Sequence, residues 1–339
     1  MVLILIVASF SRIGKGVDVK HLDVLSIGET LIDLISDEKQ VSLVEAPRYV
    51  LYPGGEATNV ALNVARLGGS SAIVARVGDD SLGLFLRHHL ATAGVETAYL
   101  RVTPRVPTTL AIVTRHIATP DFAIYRGADA QMVPDDMPLA VLPETSLVHT
   151  SAFALSREPT CSTVLNFIAQ AHANGCLISF DPNYHPRLWE MESEPLTVFE
   201  KICPYVFLVK PSLDDCIRLF GVGDTPERYA ERFLAMGVRE VVLTMGQGGV
   251  LHADSGGASY HANKQVEVVD VTGAGDSFWA GLLLAKLEGY TTAEAIRVAQ
   301  AVAEIKVQQV GPLSEMIDRT ALYTRLGLAK LEEPTGGVT

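Results

Sequence analysis

The sequence predicts an α/β fold: a central, mostly parallel sheet with helices on both faces, and a small antiparallel sheet attached to it. Three observations predict this. First, one theme recurs along the chain, an amphipathic helix, a glycine, and a short apolar strand whose last residues turn polar. TCSTVLNFIAQAHANG runs into CLISF and DPN, and PERYAERFLAMG runs into REVVLTM and GQGG. Strands alternating with helices build parallel sheets, whose ligands bind beyond the carboxyl ends of the strands. Second, the predicted helices stop at Gly68, Gly94, Gly175 and Gly237, the residue type that follows a helix terminus most readily. Third, two regions break the rhythm: ETLIDLISDE with VSLVEAPRYVLYPGG, and TTLAIVTRHIATPDFAIYRGAD. Their partial alternation with no helix between strands reads as β-hairpin material.

The chain has 339 residues, 48% of them hydrophobic, which suits one large α/β unit with a full core. A formal net charge of −12 and no sustained run of Lys or Arg argue against nucleic acid, because a polyanion needs cations at successive phosphates. Cys161, Cys176, Cys203 and Cys216 form no CxxC pair, and the pattern is that of buried thiols in a reducing cytosol. The nine histidines contain no HExxH, and adjacent His88 and His89 point about 100° apart on a helix. A zinc site is unsupported. The start, MVLILIVASFSRIGKG, carries an apolar run from Val2 to Phe10 that is too short to span a bilayer and follows no basic region. It reads as an added strand or a start placed too early, not as a signal peptide, and residues 1–20 are taken as an extension. The tail, 326–339 with EEPTGGVT, reads as flexible.

Chemistry concentrates in QVEVVDVTGAGDSFWAGLLLAKLEG. Val266, Val268 and Val269 predict a strand, and Phe278, Leu282, Leu283 and Leu287 recur at helical spacing. The turn between them falls at Gly273-Ala274-Gly275. Unpaired N–H groups and the positive dipole end of a helix bind anions, and residues with little side chain let a phosphate approach the backbone. Asp276 beside them would repel a phosphate unless it had other work. It is placed to take a proton from a hydroxyl that attacks the bound phosphate. Read alone, the pattern fits equally a tight turn with Asp276 as helix cap. No GxxxxGK[ST] is present, and no GxGxxG follows a strand, which argues against a nicotinamide-dependent oxidoreductase.

The second motif is YPGGEATNVALNVARLGG. Gly54-Gly55 permits a backbone closed to other residues, and Asn59 enters a helix carrying Val60, Leu62, Val64 and Leu67. An amide there both donates to and accepts from sugar hydroxyls. The two motifs, in this order and some 200 residues apart, together with VARVGDDSLGLFLRHHLATAGVET, SFDPNYHPRLW, LVKPSLDDC and LTMGQGGVL, resemble the PfkB, or ribokinase-like, family of carbohydrate kinases. The likeness runs from about Leu22 to about residue 320.

That resemblance implies a ribokinase-like three-layer fold over about 21–325, with a β lid from about 30–53 and 97–128. It implies Asp276 as catalytic base and Gly273, Ala274 and Gly275 as the anion hole. Asp33 of GETLIDL, with Gly54, Gly55 and Asn59, would hold the sugar, and Tyr125 and Arg126 would face it from the lid. ATP would lie along the strand ends near Lys210, Ser212, Thr244, Gly246 and Gly249. Asp270 and Thr272 match a monovalent-cation site for K⁺. Mg²⁺ would bridge the phosphates, and it keeps several waters, so no dense acidic cage is needed.

Two departures matter. The family's NxxE motif reads here Ser212-Leu213-Asp214-Asp215, so Asp215 would reach Mg²⁺ through water. DPNxR reads Asp181-Pro182-Asn183-Tyr184-His185, with Arg187 nearby. Imidazole cannot form the bidentate fork that captures a carboxylate. The expectation is therefore a fructokinase-like, ATP-dependent, cytoplasmic sugar kinase, with 2-keto-3-deoxygluconate kinase as the alternative and a non-catalytic sugar-binding regulator as the rival class. No membrane partner is expected. An open lid sheet leaves edges to cover, which points to a homodimer through the lid.

Overall fold

The structure, a computed structural model, describes residues 21–39, 41–115 and 121–328. The expectations for residues 1–20 and for the tail past 328 lie outside them.

The chain opens with β1 (Leu22–Ile27), β2 (Leu31–Lys39), β3 (Tyr49–Gly54) and α1 (Glu56–Arg66), then β4 (Ser71–Gly78), α2 (Ser81–Thr92) and β5 (Leu100–Thr103). A second excursion, β6 (Leu110–Arg115) and β7 (Phe122–Tyr125), precedes the return in β8 (Thr145–Ser151). Helix–strand units follow: α3 (Thr160–Ala173), β9 (Leu177–Asp181), α4 (Pro195–Ile202), β10 (Leu208–Val209), α5 (Leu213–Phe220), α6 (Pro226–Ala235) and β11 (Glu240–Thr244). The chain ends in β12 (Val250–Asp254), β13 (Gly257–His261), α7 (Ala274–Leu287), α8 (Thr292–Val307) and α9 (Arg319–Arg325).

Among the described residues nine strands form one sheet in the order β13-β12-β11-β10-β9-β8-β1-β4-β5. It is parallel from β5 to β11, and β12 and β13 add an antiparallel edge. Side chains alternate between faces, as the pleat requires. On β1, Leu25 and Ile27 face the core under α3, α4, α5 and α6, while Val24 faces the core under α1, α7 and α8. On β11, Val241 and Leu243 take the first core and Val242 the second. Such runs of Val, Ile and Leu suit strands buried on both sides. Several helices start at side-chain caps that the sequence provides. Asp80 accepts from Gly83 N–H, and Thr291 and Glu294 close a capping box at α8. Gly68, Gly94, Gly175 and Gly237 all have φ between 74° and 101°, as the helix stops required. All four cysteines are free and buried. Among the described residues no helix is long and apolar enough to cross a membrane.

The lid is a separate four-stranded sheet, β3-β2-β6-β7. It is not wholly antiparallel. Two hairpin-like pairs, β2 with β3 and β6 with β7, meet through a parallel β2–β6 pairing, so the two excursions share one sheet. β5 does not join it. Arg101 and Val102 pair with Arg76 and Val77 at the edge of the main sheet, and the second lid segment begins at Leu110. Nor do Val266, Val268 and Val269 form a strand. The N–H groups of Val269 and Asp270 bond instead to the Val307 carbonyl at the end of α8, at 2.8 and 3.2 Å.

A close approach at the base of the lid fixes the backbone entering α1. Gly55 has φ 99°, and a Cβ there would fall 2.5 Å from the Glu29 carbonyl oxygen. Gly55→Ala combines a disfavoured backbone with overlap, and it should cost about 2 to 4 kcal/mol. Urea unfolding of the variant against wild type measures it.

Candidate active site

The site forms where α1 and α7 leave the strand ends side by side. α7 begins after Gly273 at φ 73°, and its N-cap makes no side-chain hydrogen bond. Asp276 therefore does not cap its own helix. Its Oδ2 accepts from Asn59 Nδ2 on α1 at 2.8 Å. Asn59 Oδ1 is buried with no partner among the described residues, an acceptor aimed at nothing in the protein. The turn ahead of Asp276 keeps part of its backbone free. Ala274 N–H donates to the Val271 carbonyl at 3.0 Å, while those of Gly275 and Asp276 meet no protein acceptor among the described residues. Ala274 thus contributes less to an anion hole than its neighbours.

Asp33 enters from β2, half-buried, directly over Gly54. A Cβ at Gly54 would lie 2.1 Å from Asp33 Oδ2, so the glycine is what lets the carboxylate in. Burial first, and the Asp276 charge second, push the Asp33 carboxyl up to about 7. Asp33, Gly54, Gly55, Asn59 and Asp276 are thus gathered in one place.

Beneath them lies a group that the motifs did not single out. The carboxylates of Glu56, Asp181 and Asp276 have oxygens within 4.8 Å of one another. Lys210 answers them, its Nζ 2.6 Å from Asp181 Oδ2 with both side chains buried. Burial alone would lower the lysine, but Asp181 overrides it and the ammonium is held above its ordinary value. Burial raises Asp181 to about 6, and raises Glu56 and Asp276 as well. Behind Glu56 sits His149, lowered to about 4 by burial and so neutral. An indole N–H is a donor only. Trp279 Nε1 donates to His149 Nδ1 at 3.1 Å, which leaves Nε2–H to donate to Glu56 at 2.8 and 3.0 Å. Glu29 closes the chain of contacts, accepting from Glu56 N–H at 2.6 Å.

The nucleotide side is more loosely drawn. Ser212 bridges to Thr244 at the end of β11, and Gly246 and Gly249 follow with φ of 54° and 90°. Ser212 and Asp215 form a capping box at α5, and Asp215 Oδ1 also accepts from Tyr184 N–H at 2.8 Å. Asp215 is thus occupied on both oxygens. Asp270 Oδ1 accepts from Thr272 N–H and Oγ1, and buried Lys306 reaches its carbonyl. On the lid, Tyr125 is 63% exposed. The Arg126 side chain is buried, paired with Asp129 at 2.6 Å and stacked 4.0 Å over Phe153. No contact joins either to the Asp276 group among the described residues. His185 and Arg187 pack on Phe122 instead, at 4.7 and 5.8 Å.

A family model described as pfkB family carbohydrate kinase matches residues 21–319. The chain belongs to that family. This pfkB kinase is 34% identical to an ATP-dependent 6-phosphofructokinase from Thermoanaerobacterium thermosaccharolyticum, over 93% of the chain and 97% of the relative. Among solved structures it resembles Halothermothrix orenii fructokinase, with TM-score 0.73 and 32% identity over 86% of this chain and 100% of that one. It also resembles a Vibrio cholerae fructokinase solved with fructose, ADP and potassium ion, with TM-score 0.76 and 27% identity over 90% and 98% of the two chains. The pfkB kinase is therefore an ATP-dependent phosphotransferase with an alcohol group of a carbohydrate as acceptor.

Glu56 and Asp181 stood inside quoted motifs, beside Gly55 and Pro182, and could have been found there. His149 and Lys306 carried only the signal of a polar group in an apolar run. Glu29 yields a test. Burial, then Glu56, raise it from 4.5 to about 8. A carboxyl raised on folding binds its proton in the folded state first, so its stabilisation is full below pH 4.5 and is lost as pH rises to about 8. The slope is about 1.4 kcal/mol per pH unit in that window. Glu29→Gln should lose less stability between those limits than wild type, read by urea midpoints across pH.

Proposed function

We propose that the chain transfers the γ-phosphoryl group of ATP to a primary hydroxyl of fructose, with Asp276 as general base. The observation that carries this is the Asp276 carboxylate held by Asn59 beside two unpaired backbone N–H groups. One feature accepts a proton and the other accepts phosphate charge, and phosphoryl transfer needs both within hydrogen-bond reach of the reacting groups. Asp276 takes the hydroxyl proton, the sugar oxygen bonds to the γ-phosphorus, and the bond to the β–γ bridging oxygen breaks to release ADP. Asp33 and Asn59 Oδ1 accept from other sugar hydroxyls, which are donors. Lys210 lies beside Gly275, where a Cβ would come within 3.6 Å of Nζ, and supplies positive charge to the phosphates. Asp181, paired with Lys210, and Asp215, engaged by Ser212 and Tyr184, would hold Mg²⁺ only through water, and the ion would supply positive charge to the phosphates. Four buried free thiols accord with a cytoplasmic location.

A second reading, fructose 6-phosphate, draws on the 34% identical phosphofructokinase and on Arg187, whose side chain is 67% exposed at the lid edge. It would take the second phosphate. A panel of fructose, fructose 6-phosphate and 2-keto-3-deoxygluconate, scored by kcat/KM with ADP release, separates them. Fructose is expected first. A higher value for fructose 6-phosphate that falls on Arg187→Ala would install the second reading, and sugar binding without ADP would make the protein a regulator. Asp276→Asn should lower kcat by about 10²- to 10⁴-fold, with normal turnover excluding the mechanism.

The lid also supports a homodimer. Its exposed apolar residues, Val50 and Tyr125 among them, gain cover by pairing. Light scattering should return twice the chain mass, and a monomer at working concentration rejects the dimer.

A further inference from the structure

We propose that the Lys306 ammonium is the built-in monovalent cation of this kinase, standing in for a bound potassium ion and making the enzyme independent of potassium. Lys306 lies in the last turn of α8 with no exposed surface. A buried ammonium must be paired and hydrogen-bonded. Its Nζ donates to the Asp270 carbonyl oxygen at 2.8 Å and lies 3.8 Å from Asp270 Oδ2.

The three oxygens of Asp270 that would coordinate an ion are engaged. Asp270 Oδ1 accepts from Thr272 N–H at 3.0 Å and from Thr272 Oγ1 at 2.9 Å, and Oδ2 accepts from Gly311 N–H at 2.8 Å. The carbonyl belongs to Lys306. A potassium ion sharing that carbonyl would sit against a fixed like charge whose N–H bonds point toward it. The residues present do not fit the ion. They fit its charge, delivered on a side chain.

The position explains what that charge does. Lys306 and the Val307 carbonyl together grip residues 269 and 270, three residues before the turn whose free N–H groups open α7. Lys306 is a positioning residue for that turn, and its charge also reaches Asp276.

The test compares wild type and Lys306→Ala in potassium chloride and in tetramethylammonium chloride at equal ionic strength. Activity and thermal midpoint are both read, so the midpoint remains informative whatever sugar the enzyme takes. Wild type should change less than about twofold in rate and about 1 °C in midpoint between the salts. Lys306→Ala should lose at least about tenfold in rate in tetramethylammonium and regain rate and midpoint as potassium rises. Wild-type activation of about tenfold, or a wild-type midpoint that climbs with potassium, overturns the proposal. So does a folded Lys306→Ala that is fully active in tetramethylammonium, or inactive and unrescued in potassium. If that variant does not fold, the wild-type comparison decides alone.

Discussion

Everything at the strand ends depends on balancing buried carboxylates with very few cations. Glu29, Glu56, Asp181 and Asp276 are packed behind a cleft that must also receive a triphosphate. Lys210 answers them from β10's carboxyl end, and Lys306 stands behind α7. Burial raises the acids because the charged form loses its water. Full ionisation of the group would set like charges at close range in a poor dielectric. Neutral His149 helps by donating to Glu56 without adding a charge, in a tautomer dictated by Trp279. Asp276 is then held by Asn59, so this carboxylate and its partner come from two helices that the core forces together.

That core is the reason the site is rigid. α7 packs closely on α8, where a Cβ at Gly281 would meet Ala299 Cα at 3.2 Å, and α1 is buried along its whole length. Close-packed helices hold the Asn59–Asp276 contact to within the tolerance that chemistry needs. The lid is tied in at its base. Tyr52 of β3 lies against Gly311, where a Cβ would be 2.8 Å from its ring, and Gly311 N–H binds Asp270. The lid, Asp270 and the Gly273 turn therefore meet at one short loop around Gly311 and Pro312.

Much of this was legible before any coordinates. Helix stops at glycine and the strand–helix rhythm foretold the three layers, and the two glycine motifs foretold which residues would gather. Read locally, Asp276 fits a helix cap or a base equally; only the fold shows its carboxylate held by Asn59 from another helix. The expected strand at Val266–Val269 failed because its N–H groups found the open carbonyl of α8 instead of a neighbouring strand. Local β propensity yields to such a partner. By resemblance, Arg126 of AIYRGAD would face the substrate; in the fold its guanidinium pairs with Asp129, donates to Ser156 and stacks on Phe153, contacts the sequence does not foretell.

By itself the sequence determined the layer architecture, the family and the residue types at the two glycine turns, because periodicity and backbone freedom are local properties of the chain. Tertiary structure alone decided which charges face one another. Glu56 and His149 are 93 residues apart, Asn59 and Asp276 217 apart, and no local signal records such a meeting. The same holds for Lys306, an ordinary lysine in AVAEIKV until the fold buries it on Asp270. Electrostatic energy depends on distance and burial, and both exist only once the chain has closed on itself.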